Sequence, residues 1–320
     1  MYDYDGWRQS RELAARIFLD NLNEVKKFPK YFQIGTVNYC NSRCIMCPQN
    51  SGVSVKKTYM KDELFEKILN ELKEYSNWIE SVAVYLYGEP LLDSAIVRRV
   101  AKLNNIGIKN IQLSTNAELL SSEIVEALYA AGLNDIRFSI DAFSKKTFES
   151  IRIGLDFDKV IRNIHHAIQL RNEKYPDVSI RVTFVIQERN EIEVSDFRRY
   201  WMKYLDDKKD KIVFFNKTTR YNWSLGDKER RETSVDNQAC VSLFSTIVID
   251  SDGSVPLCCL DTNHDVVFGN LNDNNTSISS IWNGEHINKL RMMHLSHGRG
   301  SCSSCMGCDV WADHLAVEED

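Results

Sequence analysis

From Tyr31 onward, apolar and polar positions along this chain follow two alternating rhythms. Runs rich in β-branched and aromatic residues, at 31–37, 81–87, 110–115, 135–141, 178–186 and 211–215, read as strands. Between them, residues 62–75, 93–103, 121–131, 158–170 and 193–204 place apolar side chains at three- and four-residue steps, the period of a half-buried helix. Strand and helix alternating in this way predict a parallel sheet with right-handed crossovers and helices outside. Six strands fall short of a closed eight-stranded barrel. The expected fold class is therefore α/β, an open, partial (β/α)6 TIM-like barrel. Sites in such sheets form at the C-terminal ends of the strands.

The flanks break the rhythm. Over residues 7–25, Leu13, Ala14, Ile17, Phe18, Leu22 and Val25 fall at helical spacing, which predicts one amphipathic helix packed on the barrel. Residues 217–237 are polar and charged and read as a linker. Beyond it, 243–249 and 254–258 flank Asp250-Ser251-Asp252-Gly253, which reads as a β-hairpin, followed by a helix over 277–294 and a Gly/Ser/Cys-rich tail. The expected organisation is an N-terminal helix (1–30), the barrel (31–216), the linker and a small C-terminal domain (238–320).

Composition narrows the function. The 320 residues carry a net charge of −5, which argues against a nucleic-acid partner, since phosphate binding leaves a basic excess. Asp3, Asp5, Arg8, Arg11, Glu12 and Arg16 interrupt any secretory signal, and no apolar run is long enough to span a bilayer. A cytoplasmic chain with no membrane partner is the expectation, and thiols there stay reduced. Its nine cysteines then need a role other than disulfides. Three lie within residues 40–47 and six within 240–308, with none between.

The first group is Cys40-x3-Cys44-x2-Cys47 followed by Pro48, on the loop after the first strand. Structural zinc takes four ligands, and no fourth cysteine or histidine is near in sequence. Three thiolates suit a cubane [4Fe–4S] cluster with one iron left open.

With Tyr87-Gly88-Glu89-Pro90 ending the second strand, this pattern resembles the radical S-adenosylmethionine (SAM) superfamily. The resemblance spans roughly residues 31–215. It implies that the open iron binds the amino and carboxylate groups of SAM. It further implies that an electron from the cluster, delivered by a low-potential donor such as flavodoxin or ferredoxin, releases a 5′-deoxyadenosyl radical. Gly88, Glu89 and Pro90 match the family's Gly-Glu-Pro motif near the SAM amino group. Met46 stands where an aromatic residue is common and is placed to pack on the cofactor. Ser114 and Asn116 on strand three, Ser139 and Asp141 on strand four, and Arg152 are the implied contacts of the SAM ribose and carboxylate. Gln187 and Asn190 are weaker candidates. Taken singly, each is a turn, a strand end or a surface charge; their order along the chain carries the reading.

The second group opens with Cys240, twelve residues, Gly253, four residues and Cys258, and closes with Cys302-x2-Cys305-x2-Cys308. These spacings resemble the SPASM extension and its shorter twitch form. That resemblance implies one auxiliary [4Fe–4S] cluster on Cys240, Cys258, Cys302 and Cys305, although a zinc ribbon could use the same four residues. Cys259 and Cys308 are left over. Cys259 reads as a packed thiol and Cys308 as an alternative ligand, or either serves as a hydrogen-atom donor to a substrate radical. His294 and His297 are candidate cluster neighbours or helix-end residues, and Trp223 and Trp311 are candidate pocket walls or core residues.

The expected reaction is hydrogen abstraction from a small polar substrate, of sugar or aminocyclitol type, giving oxidation or epimerisation. The second reading is maturation of a ribosomally made peptide, although a single helix before Tyr31 leaves no separate leader-binding domain. A third is a non-catalytic, metal-stabilised interaction protein, which the intact cysteine and Gly-Glu-Pro motifs oppose.

Overall fold

The strand rhythm folds as the pattern implies, with one strand more. A computed structural model describes residues 2–50, 56–216 and 237–308. Strands β1 (Tyr31–Ile34), β2 (Ser81–Ala83), β3 (Ile111–Thr115), β4 (Asp135–Ser139), β5 (Ser179–Ile186), β6 (Lys211–Asn216) and β7 (Thr246–Ile249) form one sheet. Its spatial order is β6-β5-β4-β3-β2-β1-β7, and every neighbouring pair is parallel. Helices α1 (Ser10–Arg16), α2 (Asp62–Glu74), α3 (Ile96–Asn105), α4 (Ser122–Ala130), α5 (Lys145–Ile151), α6 (Phe157–Lys174) and α7 (Val194–Trp201) precede and link the first six strands.

Side chains alternate across each strand, and the two faces have different fates. Ile111, Leu113, Ile136, Phe138, Ile180, Val182 and Phe184 are buried in one core with Leu64, Ile68, Val100, Leu103, Val125, Leu128, Ile164 and Ile168 of the helices. Full burial of each such side chain is worth about 1.5–3 kcal/mol before entropy is counted. The other face carries Gln112, Ser114, Arg137, Ser139, Arg181 and Thr183, all only partly buried. This inner, helix-free face is polar. Register aligns it in lateral rows: Ser114, Arg137, Arg181 and Lys211 stand side by side on β3, β4, β5 and β6, with Ser139 and Thr183 one pleat nearer the C-terminal ends.

Beneath the sheet, Arg171 of α6 makes a two-pronged bond to Asp210, at 2.7 and 2.6 Å, and Asp210 also accepts from the backbone of Ile180 and Asp206. Both side chains of the pair are fully buried. This ties the end of α6 to the start of β6.

Three flanking expectations are corrected. The N-terminal helix is shorter than predicted. It ends at Arg16, the chain turns at Phe18 (φ +55°, exposed), and Leu22–Lys26 resumes as a 3-10 helix. Leu13, Ala14, Ile17, Leu22 and Val25 stay buried. The segment 243–249 does not pair in a hairpin with 254–258. Its Thr246–Ile249 part joins β1 in parallel, because Ile247, Val248 and Ile249 are all buried and need cover on both faces. The antiparallel pair is instead β8 (Ser254–Pro256) with β9 (Val267–Asn270). The predicted helix over 277–294 is two helices, α8 (Ile278–Trp282) and α9 (Glu285–His297), broken at Asn283-Gly284. Among the described residues no helix is long and apolar enough to cross a membrane.

Candidate active site

The loop carrying Cys40, Cys44 and Cys47 hangs from the C-terminal end of β1. It is pinned from several sides. Arg43–Cys44 pairs antiparallel with Arg152–Ile153, Ile45 N–H donates to Ile151 O (2.9 Å), and Asn50 Nδ2 donates to Cys44 O (3.1 Å). The Ser42 hydroxyl lies between two of the sulfurs, 3.2 Å from Cys40 Sγ and 3.4 Å from Cys44 Sγ. Arg152 Nη1 is 3.8 Å from Cys44 Sγ. Burial raises the Cys40 thiol and pushes Cys47 up to about 11, so thiolates here need a compensating cation, as cluster iron provides. Met46 is half-buried on the same loop.

The Gly-Glu-Pro motif clamps this loop to the sheet. A Cβ at Gly88 would collide with the carbonyl oxygens of Val37 and Tyr39, so only glycine permits the backbones to cross there. Glu89 N–H donates to Tyr39 O (2.9 Å). Its buried carboxylate accepts from Thr115 Oγ1 (2.6 Å) and Leu91 N (3.2 Å) on one oxygen and from Asn116 N (2.9 Å) on the other. Asn116 in turn donates through Nδ2 to Asn41 Oδ1 (2.8 Å), and Asn41 donates to Glu118 Oε2 (2.8 Å). Pro90 opens a 3-10 turn. Glu89 and Asn116 thus brace the cysteine loop.

Asp141 and Arg152 also meet each other. Asp141 is fully buried with φ +63°; one carboxylate oxygen accepts from Val185 N (2.7 Å) and the other from Arg152 Nη2 (2.5 Å). Burial alone would lower the Arg152 pKa, but Asp141, and then Cys44, hold it charged. The sequence placed both residues on a bound SAM; here Asp141 spends its oxygens on protein donors, and Arg152 spans Asp141 and Cys44. Asn190 is likewise engaged, donating to Asp141 O and Val185 O. Ser114 and Ser139 face the inner side of the sheet. Thr36 Oγ1, Asn38 Oδ1, Arg152 Nε and Gln187 Nε2 are buried near the strand ends without a partner among the described residues. Buried polar atoms are rarely left so. They fit a polar cofactor seated beside the loop.

The C-terminal cysteines form a second centre. His294, Cys302 and Cys305 bring one ligand atom each within 4.8 Å of one another. Cys240 N–H donates to His294 Nδ1 (3.4 Å), and Cys308 is an electrostatic neighbour of Cys240. His294 Nε2 is buried and, among the described residues, makes no regular hydrogen bond, which fits an electron-rich cluster or thiolate beside it. Cys302 is lowered, first by its hydrogen bond with Cys305 and then by His294. Cys258 and Cys259, by contrast, sit on the loop after β8 near Tyr87, with Cys259 also near Tyr85. Among the described residues, the group of ligand atoms within 4.8 Å holds Cys302 and Cys305 with His294; Cys240 and Cys258 lie outside that radius. His297 ends α9; Trp223 and Trp311 lie outside the described residues.

Sequence reasoning did not single out the inner-face network. Arg137 donates to Tyr85 OH (2.9 Å), Gln112 Oε1 (2.6 Å) and Asp135 (3.3 Å), and Arg181 Nε pairs with Asp135 at 2.9 Å. The available signal was charge at alternate positions inside strands of an otherwise apolar parallel sheet. The loop 257–264 closes toward this face: Tyr87 OH donates to Asp261 O (3.3 Å), and His264 Nε2 stands 3.2 Å from Asp250 Oδ2.

Comparison with known proteins agrees with this geometry. The model of the radical SAM superfamily matches residues 34–200, and that of an iron–sulfur cluster-binding domain, SPASM, matches 240–309. GTP 3′,8-cyclase of Clostridium botulinum is 30% identical over 176 residues, 54% of this chain and 53% of its own length. The chain spans about half the length of the curated relatives of that name. Among solved structures, BtrN in complex with AdoMet and 2-DOIA superposes with a TM-score of 0.59 at 17% identity, covering 88% of this chain and 93% of that one. Streptococcus suis SuiB bound to its precursor peptide SuiA gives 0.59 at 16% identity, covering 87% and 69%. At such identity these two speak for the fold. The superfamily match covers more than half of the sequence, and with the braced three-cysteine loop at the end of β1 it places this chain in the radical SAM superfamily, with a C-terminal iron–sulfur cluster-binding domain.

Proposed function

We propose that this radical SAM enzyme oxidises or epimerises a small polar substrate, of sugar or aminocyclitol type, at a carbon bearing a hydroxyl or amine. The observation that carries the reading is the polar inner face of the sheet, lined by Tyr85, Gln112, Arg137 and Arg181 and bordered by the loop that bears Cys259. Hydrogen-bonding groups clustered there suit a hydroxylated molecule. When bound, SAM and its cluster supply a carbon radical that removes one hydrogen atom, and the C-terminal cluster supplies an acceptor for a second electron.

The chain's own residues do the rest. Cys40, Cys44 and Cys47 would hold the SAM-binding cluster, with Ser42 and Arg152 donating to their sulfurs. Gly88, Glu89, Pro90 and Asn116 fix the loop against β3, so the cofactor seat is set before binding. Ser114 and Ser139 face the same interior and are offered as cofactor contacts. Cys240, Cys258, Cys302 and Cys305 would hold the auxiliary cluster, with His294 and Cys308 beside it. Cys259, near Tyr85 and Tyr87, is the candidate hydrogen-atom donor for epimerisation, and Cys308 is the second candidate.

The test is anaerobic reconstitution followed by incubation with SAM, a strong reductant and separate panels of polyols, amino sugars and peptides. Deoxyadenosine together with an oxidised or epimerised small molecule is expected. With an epimerised product, Cys259→Ala should keep deoxyadenosine formation and lose the product. Modification of a peptide with no turnover of any polyol or amino sugar would instead establish the peptide-maturation reading. Failure to cleave SAM at all would sink both.

A further inference from the structure

On the inner face two arginines share one carboxylate. Arg137, Arg181 and Lys211 stand in register on β4, β5 and β6, their backbones spaced about 4.8 Å apart as neighbouring strands are. Like charges at such positions destabilise a sheet. Asp135 is the carboxylate that pairs with both arginines, and its side chain is 5% exposed. Arg137 is consumed within the network, its donors spent on Tyr85, Gln112 and Asp135. Arg181 is different. Its Nε holds Asp135, neither terminal nitrogen meets a protein acceptor among the described residues, and its side chain remains 32% exposed.

We infer that this row seats an anionic group of the substrate, a carboxylate or a phosphate ester, with Arg181 making the direct contact and Arg137 held as a second positive charge beneath it. This rests on the reading that a small polar substrate occupies the inner face. A guanidinium with two free parallel N–H groups matches either oxyanion in a two-pronged bond. Recessed on a low-dielectric face, the excess charge is also stronger than it would be at the surface.

The geometry sets a length as well as a charge. Ser139 and Thr183 lie two residues further along the same strands, about 6.6 Å nearer the ends from which the cysteine loop hangs. A substrate anchored at Arg181 therefore presents a carbon several bonds from its anionic group toward the cofactor seat. Tyr85, bonded to Arg137 and neighbouring Cys259, borders the path on the other side.

The experiment is anaerobic calorimetric titration of the reconstituted, SAM-loaded protein with inorganic phosphate and, separately, acetate. Millimolar binding of one of them is expected. Phosphate preference indicates a phosphate ester, and acetate preference indicates a carboxylate. Arg181→Gln, compared at equal iron content, should weaken that binding about tenfold, equivalent to about 1.4 kcal/mol. Asp135→Asn, which removes the counter-charge, should tighten it, a direction that mere structural damage would not produce. Should Arg181→Gln fail to fold, Arg181→Lys keeps the charge without the fork and should bind at intermediate strength. Binding of neither anion, or equal binding by wild type and the Arg181 variant, overturns the inference. Deoxyadenosine formation from SAM is followed in the same preparations. Its absence refutes the proposed function, whereas SAM cleavage without anion binding refutes the anion seat alone.

Discussion

Replacing Glu89 with glutamine alters one atom and almost no volume, yet the structure assigns it a large cost. Three donors converge on the carboxylate, two on one oxygen and the Asn116 N–H on the other. A glutamine amide offers one acceptor oxygen, so either orientation leaves a backbone N–H facing an NH2 group. It is that of Asn116 in one orientation and that of Leu91 in the other. An orphaned buried donor costs about 1–3 kcal/mol, and losing the charge from the remaining bonds adds roughly 1 kcal/mol. A total near 3 kcal/mol lowers the melting temperature of a chain this size by roughly 4–5 °C. Because Asn116 also holds Asn41 on the cysteine loop, the variant should retain less cluster iron than wild type after desalting. Anaerobic scanning calorimetry with iron analysis measures both. Burial pulls the other way, raising the Glu89 pKa toward the neutral acid. A melting temperature within about 1 °C of wild type and undiminished iron would refute the reasoning, since a carboxyl already neutral in the fold loses little on becoming an amide.

Other outcomes follow from the same geometry. Arg171→Met leaves Asp210 buried and unpaired, which should destabilise the chain by about 3–5 kcal/mol in a thermal melt. Pairing with Asp250 raises His264 above its ordinary 6.5. The stability this contributes is full below that value and lost as pH rises through the folded pKa, so His264→Gln should melt below wild type at about pH 6, and the gap should narrow as pH rises. Cys302→Ala should lower iron from about eight to about four per chain, with SAM cleavage retained; loss of all iron would contradict two separable centres.

The sequence displayed the local features and hid those made by register. Periodicity sufficed for six parallel strands, because alternation and helical spacing are properties of a few neighbouring residues. It misplaced Thr246–Ile249, since a short apolar run is equally compatible with a hairpin and with the edge of a distant parallel sheet. It missed the break at Asn283-Gly284, where a flexible pair interrupts an otherwise helical pattern. In the candidate site the division of the cysteines into two groups was legible from their spacing. The pairing of Asp141 with Arg152, the approach of His294 to Cys302, and the row of Arg137, Arg181 and Lys211 depend on contacts between distant segments, which no local pattern encodes.

The pairing of β7 with β1 also has a temporal side. β1 leads directly into the loop of Cys40, Cys44 and Cys47, and one of its two hydrogen-bonding edges is completed only by residues 246–249. During synthesis that edge waits, for on the order of ten seconds or more at ordinary elongation rates, while the intervening chain emerges. Until then the nascent barrel exposes an apolar strand edge next to unmetallated thiols, a ready template for pairing with another chain. Truncation after β6 would make that interval permanent. The C-terminal segment thus closes the first half's open edge as well as carrying its own cysteines.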